Sequence, residues 1–321
     1  MVSELDVKNA LDNVLKTVDL PFLGEKHQGK VRDFYMVGDK RVLITTDRQS
    51  AFDVILGHIP YKGTVLNLLT QFWLENTKDI VQNHMVSVPD PNVMISQNCG
   101  LIPIEMIVRG YITGVTNTSI WTAYQKGERV FCGNVLPEGL VKNQKLEKPI
   151  ITPSTHAEAG AHDVNMSRAE IIEQGIVSED IYSQMETAAL KLFARGTEIC
   201  QQKGLILVDT KYEFGLLNGE LILIDEIHTP DSSRFWKLDS YQDRLSQGLE
   251  PENFDKEFIR LWYVDHGYKG DGEPPKMPIE LAVAASQRYV GNYELITGNE
   301  FKPYQYPINQ RIIDNLKDLK I

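Results

Sequence analysis

Between Asp209 and Arg234 the chain concentrates carboxylates, a lysine, a serine and an arginine in two short stretches: Asp209, Lys211 and Glu213, then Asp225, Glu226, Asp231, Ser233 and Arg234. Carboxylate oxygens are hard donors, and magnesium is usually held by one or two of them together with the phosphate oxygens of a substrate. Glu213 and Asp225 aimed at one point would therefore form a cation site suited to nucleotide chemistry. Whether they converge depends on the backbone beneath them. Residues 205–208 and 221–224 are short apolar runs bounded by turn formers, which suits buried strands, and 217–220 (LNGE) supplies a hairpin turn. In such an antiparallel pair Glu213 and Asp225 can face each other, because each lies a few residues from the turn or beyond it. A surface hairpin with solvated charges would carry the same residues, and the residues alone leave both readings open.

Other elements must hold this hairpin. Residues 181–202 have Met185, Ala188, Ala189, Leu192 and Ile199 at core spacing, with Gly204 just past their end, and predict a helix that feeds directly into it. Upstream, Val7, Ala10, Leu11, Val14, Leu15 and Val18 predict a helix over 7–18, stopped by Pro21. Residues 27–37 and 41–46 read as a hairpin around Gly38-Asp39, with Gly29 near its start. A polar run from Thr46 to Ser50 ends that strand, and a helix over 65–74 follows with Leu69 and Trp73 on its apolar face. Lys62 reads as a solvated lysine at the start of that helix. Residues 102–111 are mostly apolar, interrupted by Glu105 and carrying Arg109 near their end, and read as a connector between two lobes.

After Trp236 come segments 241–249 and 254–266, a Gly/Pro linker at 270–275 and a helix over 278–296. Its stripe of Leu281, Ala285, Tyr289 and Tyr293 reads as core packing. Ile312, Ile313, Leu316 and Leu319 suit either a docked terminal helix or a subunit contact. The strand-rich start to about residue 107 and the helical end imply an α+β protein of two lobes with a cleft between them. We divide it into 1–108, the strand-rich lobe, and 109–321, the mixed lobe.

The composition narrows the function. A net charge of −11 argues against a general nucleic-acid or anionic-membrane surface, so anionic small molecules must meet local lysines and arginines. Cys99, Cys132 and Cys200 form no CxxC pair and read as reduced, core-type thiols. The first residues are acidic and amphipathic where a signal peptide would be basic and then apolar, which makes a cytoplasmic location the default.

Several stretches together resemble one enzyme family. DTKYEFG followed by LIDEIHTPDSSRFW is similar to the signature of the SAICAR synthetases, the phosphoribosylaminoimidazole-succinocarboxamide synthases of purine biosynthesis. GKVRDFY, TTDRQSAFD, IPYKGTVLN, PIEMIVRGYITG, AHDVNMS and RYVGNYELITG follow the family in order. The resemblance implies a two-lobed fold with a kinase-like first lobe, an ATP cleft, and ATP-driven joining of an imidazole carboxylate ribonucleotide to L-aspartate. It implies Gly29 and Lys30 at the ATP phosphates with Val31 beside the adenine, and Glu105 and Met106 reading the base by their backbone. It further implies magnesium on Glu213 and Asp225, Lys211 near the reacting carboxylate, and Arg109 with Ser233 and Arg234 on the substrate's own phosphate. The two arginines are expected on opposite sides of the cleft. Ser50, Asp53 and Asp163 fall on the substrate side. Arginine suits a phosphate because its planar fork pairs two oxygens at once.

Two departures stand out. Where many members read TGS, this chain reads Thr113-Gly114-Val115-Thr116-Asn117-Thr118-Ser119, so the hydroxyl after the glycine is missing; Ser119, Thr116 or Thr118 could replace it, and Ser119, just before Ile120-Trp121, is the first choice. His156 stands where lysine is common, which makes a positive contact there pH-dependent or removes it.

Overall fold

The computed structural model describes residues 2–52, 54–116, 118–155, 163–304 and 307–319. The chain opens with α1 (Glu4–Ala10), started by a reciprocal cap between Ser3 and Asp6. The helix is shorter than its apolar spacing predicts. A single 3₁₀ turn follows it, and at Val14 the backbone turns extended. The cause is a competing partner: the Leu15 N–H donates to the buried Asp47 carboxylate at 2.8 Å, and the Asp47 N–H returns a bond to the Leu15 carbonyl at 2.8 Å. Leu15, Val18 and Leu20 thereby enter a small separate core with Tyr35, Val42 and Ile44.

Next come β1 (Lys26–Gln28), β2 (Arg32–Val37) and β3 (Lys40–Thr45), then the hairpin β4 (Arg48–Ala51) and β5 (Val54–His58), and α2 (Lys62–Thr77). β1, β2 and β3 join β6 (Met85–Asp90) and β7 (Val93–Gln97) in an antiparallel sheet of order β1-β2-β3-β7-β6, and, among the described residues, β4 and β5 pair only with each other. Helix α2 begins in a space too tight for a side chain. A Cβ on Gly63 would collide with the Thr45 carbonyl and lie 2.7 Å from the Asn92 amide nitrogen, so only glycine fits there. Lys62 is not solvated: it is fully buried and paired with Asp231 at 2.8 Å.

The second sheet is built on two long strands, β8 (Gly100–Tyr111) and, further on, β13 (Leu205–Leu217). Residues 102–111 are thus not a connector but part of a central strand, and the expected division after residue 108 falls within it. Between these strands lie α3 (Ile120–Gln125), the small hairpin β9 (Val130–Phe131) and β10 (Asn134–Val135), β11 (Lys145–Ile151), β12 (Ser154–Thr155), α4 (Arg168–Glu173) and α5 (Glu179–Gln202). β14 (Glu220–Ile224) and β15 (Ser233–Lys237) then pair with successive halves of β13, and β11 and β12 pair with β8. Every named pairing in both sheets is antiparallel, which leaves one face for a helix and the other for a site. Helix α5 covers the inner face, where Met185, Ala189, Leu192 and Phe193 share a core with Met106, Val108, Leu207, Tyr212 and Phe214.

The chain ends in α6 (Leu238–Ser246), α7 (Glu257–Asp265), α8 (Ile279–Thr297) and α9 (Ile308–Leu316). Ile308, Ile312 and Leu316 pack into the small core beneath the first sheet, and Arg311 pairs with the buried Asp90, so α9 is a docked terminal helix. Among the described residues no helix is long and apolar enough to cross a membrane. All three cysteines are free thiols, and Cys99 and Cys200 are buried.

Candidate active site

Alternation along β13 assembles the site. Asp209, Lys211 and Glu213 are two residues apart and share one face, while Thr210, Tyr212 and Phe214 point to the core. Opposite them on β8 stand Arg109, Ile107 and Glu105, in register Asp209↔Arg109, Lys211↔Ile107 and Glu213↔Glu105. On the other side of β13, Asp209 pairs with Arg234, and Glu213 pairs with Ile224, the last residue of β14. The turn that sets this register is Asn218-Gly219, both at positive φ (53° and 85°), as a two-residue hairpin of right-handed twist requires.

At one end of this face Lys211 bridges two buried acids, with its ammonium 2.6 Å from Glu105 and 2.5 Å from Glu213. Ser154 donates to the other Glu105 oxygen at 3.3 Å. Asp225 follows β14 with a left-handed backbone (φ 62°), which breaks the strand's alternation and turns its carboxylate onto Arg32; Arg32 also reaches Glu226 at 3.1 Å. Burial draws Glu213 upward against the pull of Lys211. Burial also opposes the charge of Asp225, but Arg32 and Lys211 more than offset it and hold the group at about 2. For Lys211 the cost of burial is likewise exceeded by Glu213 and Glu105, which keep it firmly protonated. Environment thus drives the two carboxylates apart, Asp225 downward and Glu213 upward.

A cation here would meet two carboxylates, Glu213 and Asp225, each already paired with a cationic side chain. Among the described residues no group of three or more His, Cys, Asp or Glu side chains is arranged to hold a metal. An ion on Glu213 and Asp225 would need water and phosphate oxygens for its remaining positions, as magnesium bound with a nucleotide does.

At the other end lies a chain of alternating charge. Asp209 accepts from Arg109 at 3.3 Å and from Arg234 at 2.7 Å; Arg234 also faces Glu257 at 3.5 Å, and Glu257 pairs with Arg260 at 3.0 Å. The two arginines are therefore not on opposite sides of a cleft but flank one aspartate on neighbouring strands. Burial lowers the pKa of Arg109, whereas Asp209 and Glu257 outweigh burial at Arg234 and raise it.

The remaining expected residues fall into place unevenly. Ser119 is the N-cap of α3, accepting from the Thr122 N–H at 3.3 Å. A Cβ on Gly114 would lie 3.0 Å from the Ser119 hydroxyl and 3.6 Å from the Arg234 guanidinium, which puts Ser119, Gly114 and Arg234 side by side. The Ser233 hydroxyl instead donates to Thr210 at 2.7 Å, because neighbours in a strand face opposite ways and Arg234 takes the site face. The Met106 side chain is fully buried in the core, and the backbones of Glu105 and Met106 lie in ladders with β12 and β13. Gly29 and Lys30 are exposed between β1 and β2, with Val31 half-buried beside them. Ser50 lies on β4, and Asp163 is exposed next to segment 156–162. Asp53, His156 and His162 lie outside the described residues.

Sequence reasoning assigned no role to Arg32, Arg48, Asp209 or Glu257. Only the position of Asp209, two residues before Lys211 on a strand, could have signalled its share in the site.

Comparisons with known proteins agree with this architecture. Residues 25–276 match the family model of SAICAR synthetase. The chain is 53% identical over 308 residues to the phosphoribosylaminoimidazole-succinocarboxamide synthase of Legionella pneumophila (strain Paris), covering 94% of this chain and 97% of that protein. It is 49% identical over 317 residues to the chloroplastic enzyme of the same name from Arabidopsis thaliana, covering 96% of this chain and 77% of that one. Among solved structures, the SAICAR synthase of Saccharomyces cerevisiae complexed with SAICAR superposes with a TM-score of 0.77 at 33% identity, over 90% of this chain and all of that one. A family model spanning most of the sequence, relatives at about half identity over nearly all of it and a matching fold establish that the chain belongs to the SAICAR synthetase family.

Proposed function

We propose that this protein is an ATP-dependent ligase that joins 5-amino-1-(5-phosphoribosyl)imidazole-4-carboxylate to L-aspartate, giving SAICAR, ADP and phosphate through an acyl phosphate. The observation that carries the reading is the single polar face of β8 and β13. It has an acid–lysine cluster at one end and an arginine–aspartate–arginine group at the other.

A carboxylate resists attack by an amine because its leaving group would be oxide. Transfer of the γ-phosphoryl group to a carboxylate oxygen expels ADP and makes an acyl phosphate. The aspartate amine then adds to the acyl carbon, phosphate leaves, and the amine loses a proton. The protein's share is positioning and charge neutralisation. Lys211, held between Glu105 and Glu213, presents a cation to the reacting carboxylate. Arg109 and Arg234 take the ribose phosphate, with Ser119 beside them; Gly29, Lys30 and Val31 lie over ATP, with Ser50, Asp53 and Asp163 toward the substrate. Glu213 and Asp225 would hold magnesium, which when bound would offset the negative charge that builds during phosphoryl transfer. The ATP cleft of this reading runs between the first sheet and the β8–β13 face, where Arg32 of β2 meets Asp225.

The test is turnover with and without aspartate. The reading requires ADP release in the steady state to depend on aspartate and the product to be the succinocarboxamide. Release of a phosphorylated nucleotide at full rate without aspartate would identify a kinase and overturn it.

A further inference from the structure

We infer that Arg48 is a positioning residue for the ATP phosphates, acting through the Gly29–Lys30–Val31 loop; this rests on the proposed role of that loop. Arg48 is only 3% exposed. Its donors go to the loop and its surroundings: Nη2 to the Gly29 carbonyl at 3.1 Å, Nε to the Lys30 carbonyl at 3.1 Å and Nη1 to the Lys16 carbonyl at 2.9 Å. Nη2 also donates to Asp33 at 2.8 Å; Asp33 is fully buried and fixed from its other side by the Thr17 hydroxyl at 2.6 Å. The next carbonyl, that of Val31, accepts from both the Thr46 N–H at 3.0 Å and the Thr46 hydroxyl at 2.7 Å.

Three successive carbonyls of one exposed loop are thus turned inward onto Arg48 and Thr46. A loop that receives phosphate must present donors and keep its carbonyl lone pairs away from the anion. In an ordinary turn nothing enforces that orientation. Here a buried guanidinium, oriented by a buried carboxylate, holds two of the three oxygens, and Thr46 holds the third. Gly29 closes the loop on itself: its N–H donates to the Arg32 carbonyl at 2.7 Å, and a Cβ there would lie 3.3 Å from that oxygen, which leaves the N–H groups that follow it to meet an anion.

Three variants test this. Arg48→Lys keeps the charge but loses the fork that reaches two carbonyls, and should raise KM for ATP by about tenfold or more. Thr46→Val keeps the shape and the backbone bond, removes only the hydroxyl, and should raise it by about threefold to tenfold. In both, KM for the imidazole nucleotide and for aspartate should stay within about twofold of wild type; a purely structural role would not produce that split. Lys30→Ala probes the loop itself. If Lys30→Ala raises KM for ATP but Thr46→Val and soluble Arg48→Lys do not, the positioning inference is wrong and the loop reading survives. If Lys30→Ala leaves KM for ATP unchanged, the loop reading fails and takes the inference with it. Equal rises in all three substrates' KM for Thr46→Val would also overturn the inference.

Discussion

The replacement of Asp209 by Asn tests how the arginine pair is held. Asp209 is 4% exposed and accepts from Arg234 at 2.7 Å and from Arg109 at 3.3 Å, so one negative charge serves two buried positive ones. Unit charges about 4 Å apart interact by about 4 kcal/mol at an effective dielectric of 20, which exceeds the net ~1 kcal/mol of an ordinary hydrogen bond. Loss of the charge therefore dominates over loss of the bonds. Removing one partner from a buried ion pair costs roughly 3–5 kcal/mol, and at roughly 2–4 °C per kcal/mol the unliganded variant should melt roughly 6–20 °C lower. A phosphate dianion arriving between the arginines would replace the missing charge. The imidazole nucleotide should consequently raise the melting temperature of Asp209→Asn by more than it raises that of wild type, although kcat/KM falls. Thermal unfolding of both proteins with and without the nucleotide reads the difference. An unliganded variant melting with the wild type, or a nucleotide-induced shift no larger than wild type's, would refute the reasoning.

Further outcomes follow from the same geometry. Asp225→Asn keeps size but removes the charge proposed to hold magnesium, and turnover should fall by orders of magnitude; full activity at low magnesium would reject Asp225 as a ligand. Ser119→Ala should raise KM for the imidazole nucleotide by about tenfold and lower stability by about 1 kcal/mol through loss of the α3 cap, whereas Ser233→Ala, whose hydroxyl faces Thr210, should leave that KM unchanged. The reverse pattern in steady-state kinetics would show that the wrong serine has been put at the phosphate. Fully buried His228 is held by burial at about 3, so it stays neutral in the folded protein while the unfolded chain takes up a proton below about pH 6.5. Stability linked to it is present above that pH and is lost as pH falls. Between pH 7 and pH 5 His228→Gln should lose about 2 kcal/mol less than wild type in denaturant titrations, and parallel losses would contradict this.

The legible parts of the molecule were those that local periodicity controls. The β13–β14 hairpin, its Asn-Gly turn, helix α5 and the alternation of Asp209, Lys211 and Glu213 all follow from spacing and turn chemistry over a few residues. Partners distant in sequence were not legible. Arg32 and Asp225 are 193 positions apart, and nothing local marks either as the other's counter-ion. Lys62 has the composition of a solvated helix start, yet Asp231 and the Tyr289 hydroxyl bury it in a network that closes only in three dimensions. The first helix ends early for the same reason, since a carboxylate 32 residues downstream competes for the Leu15 N–H. Ser233 shows a different failure: motif position put it beside Arg234, whereas strand geometry turns the two side chains to opposite faces.

The central claim, that the β8–β13 face holds a carboxylate while it is phosphorylated, is tested most directly by isotope transfer. The imidazole nucleotide would be labelled with heavy oxygen in its carboxylate and turned over with ATP, magnesium and aspartate, and the released phosphate analysed by mass spectrometry. Phosphate expelled from an acyl phosphate carries away one oxygen of the original carboxylate, so labelled phosphate should accumulate in step with SAICAR. Unlabelled phosphate at full turnover would contradict the account.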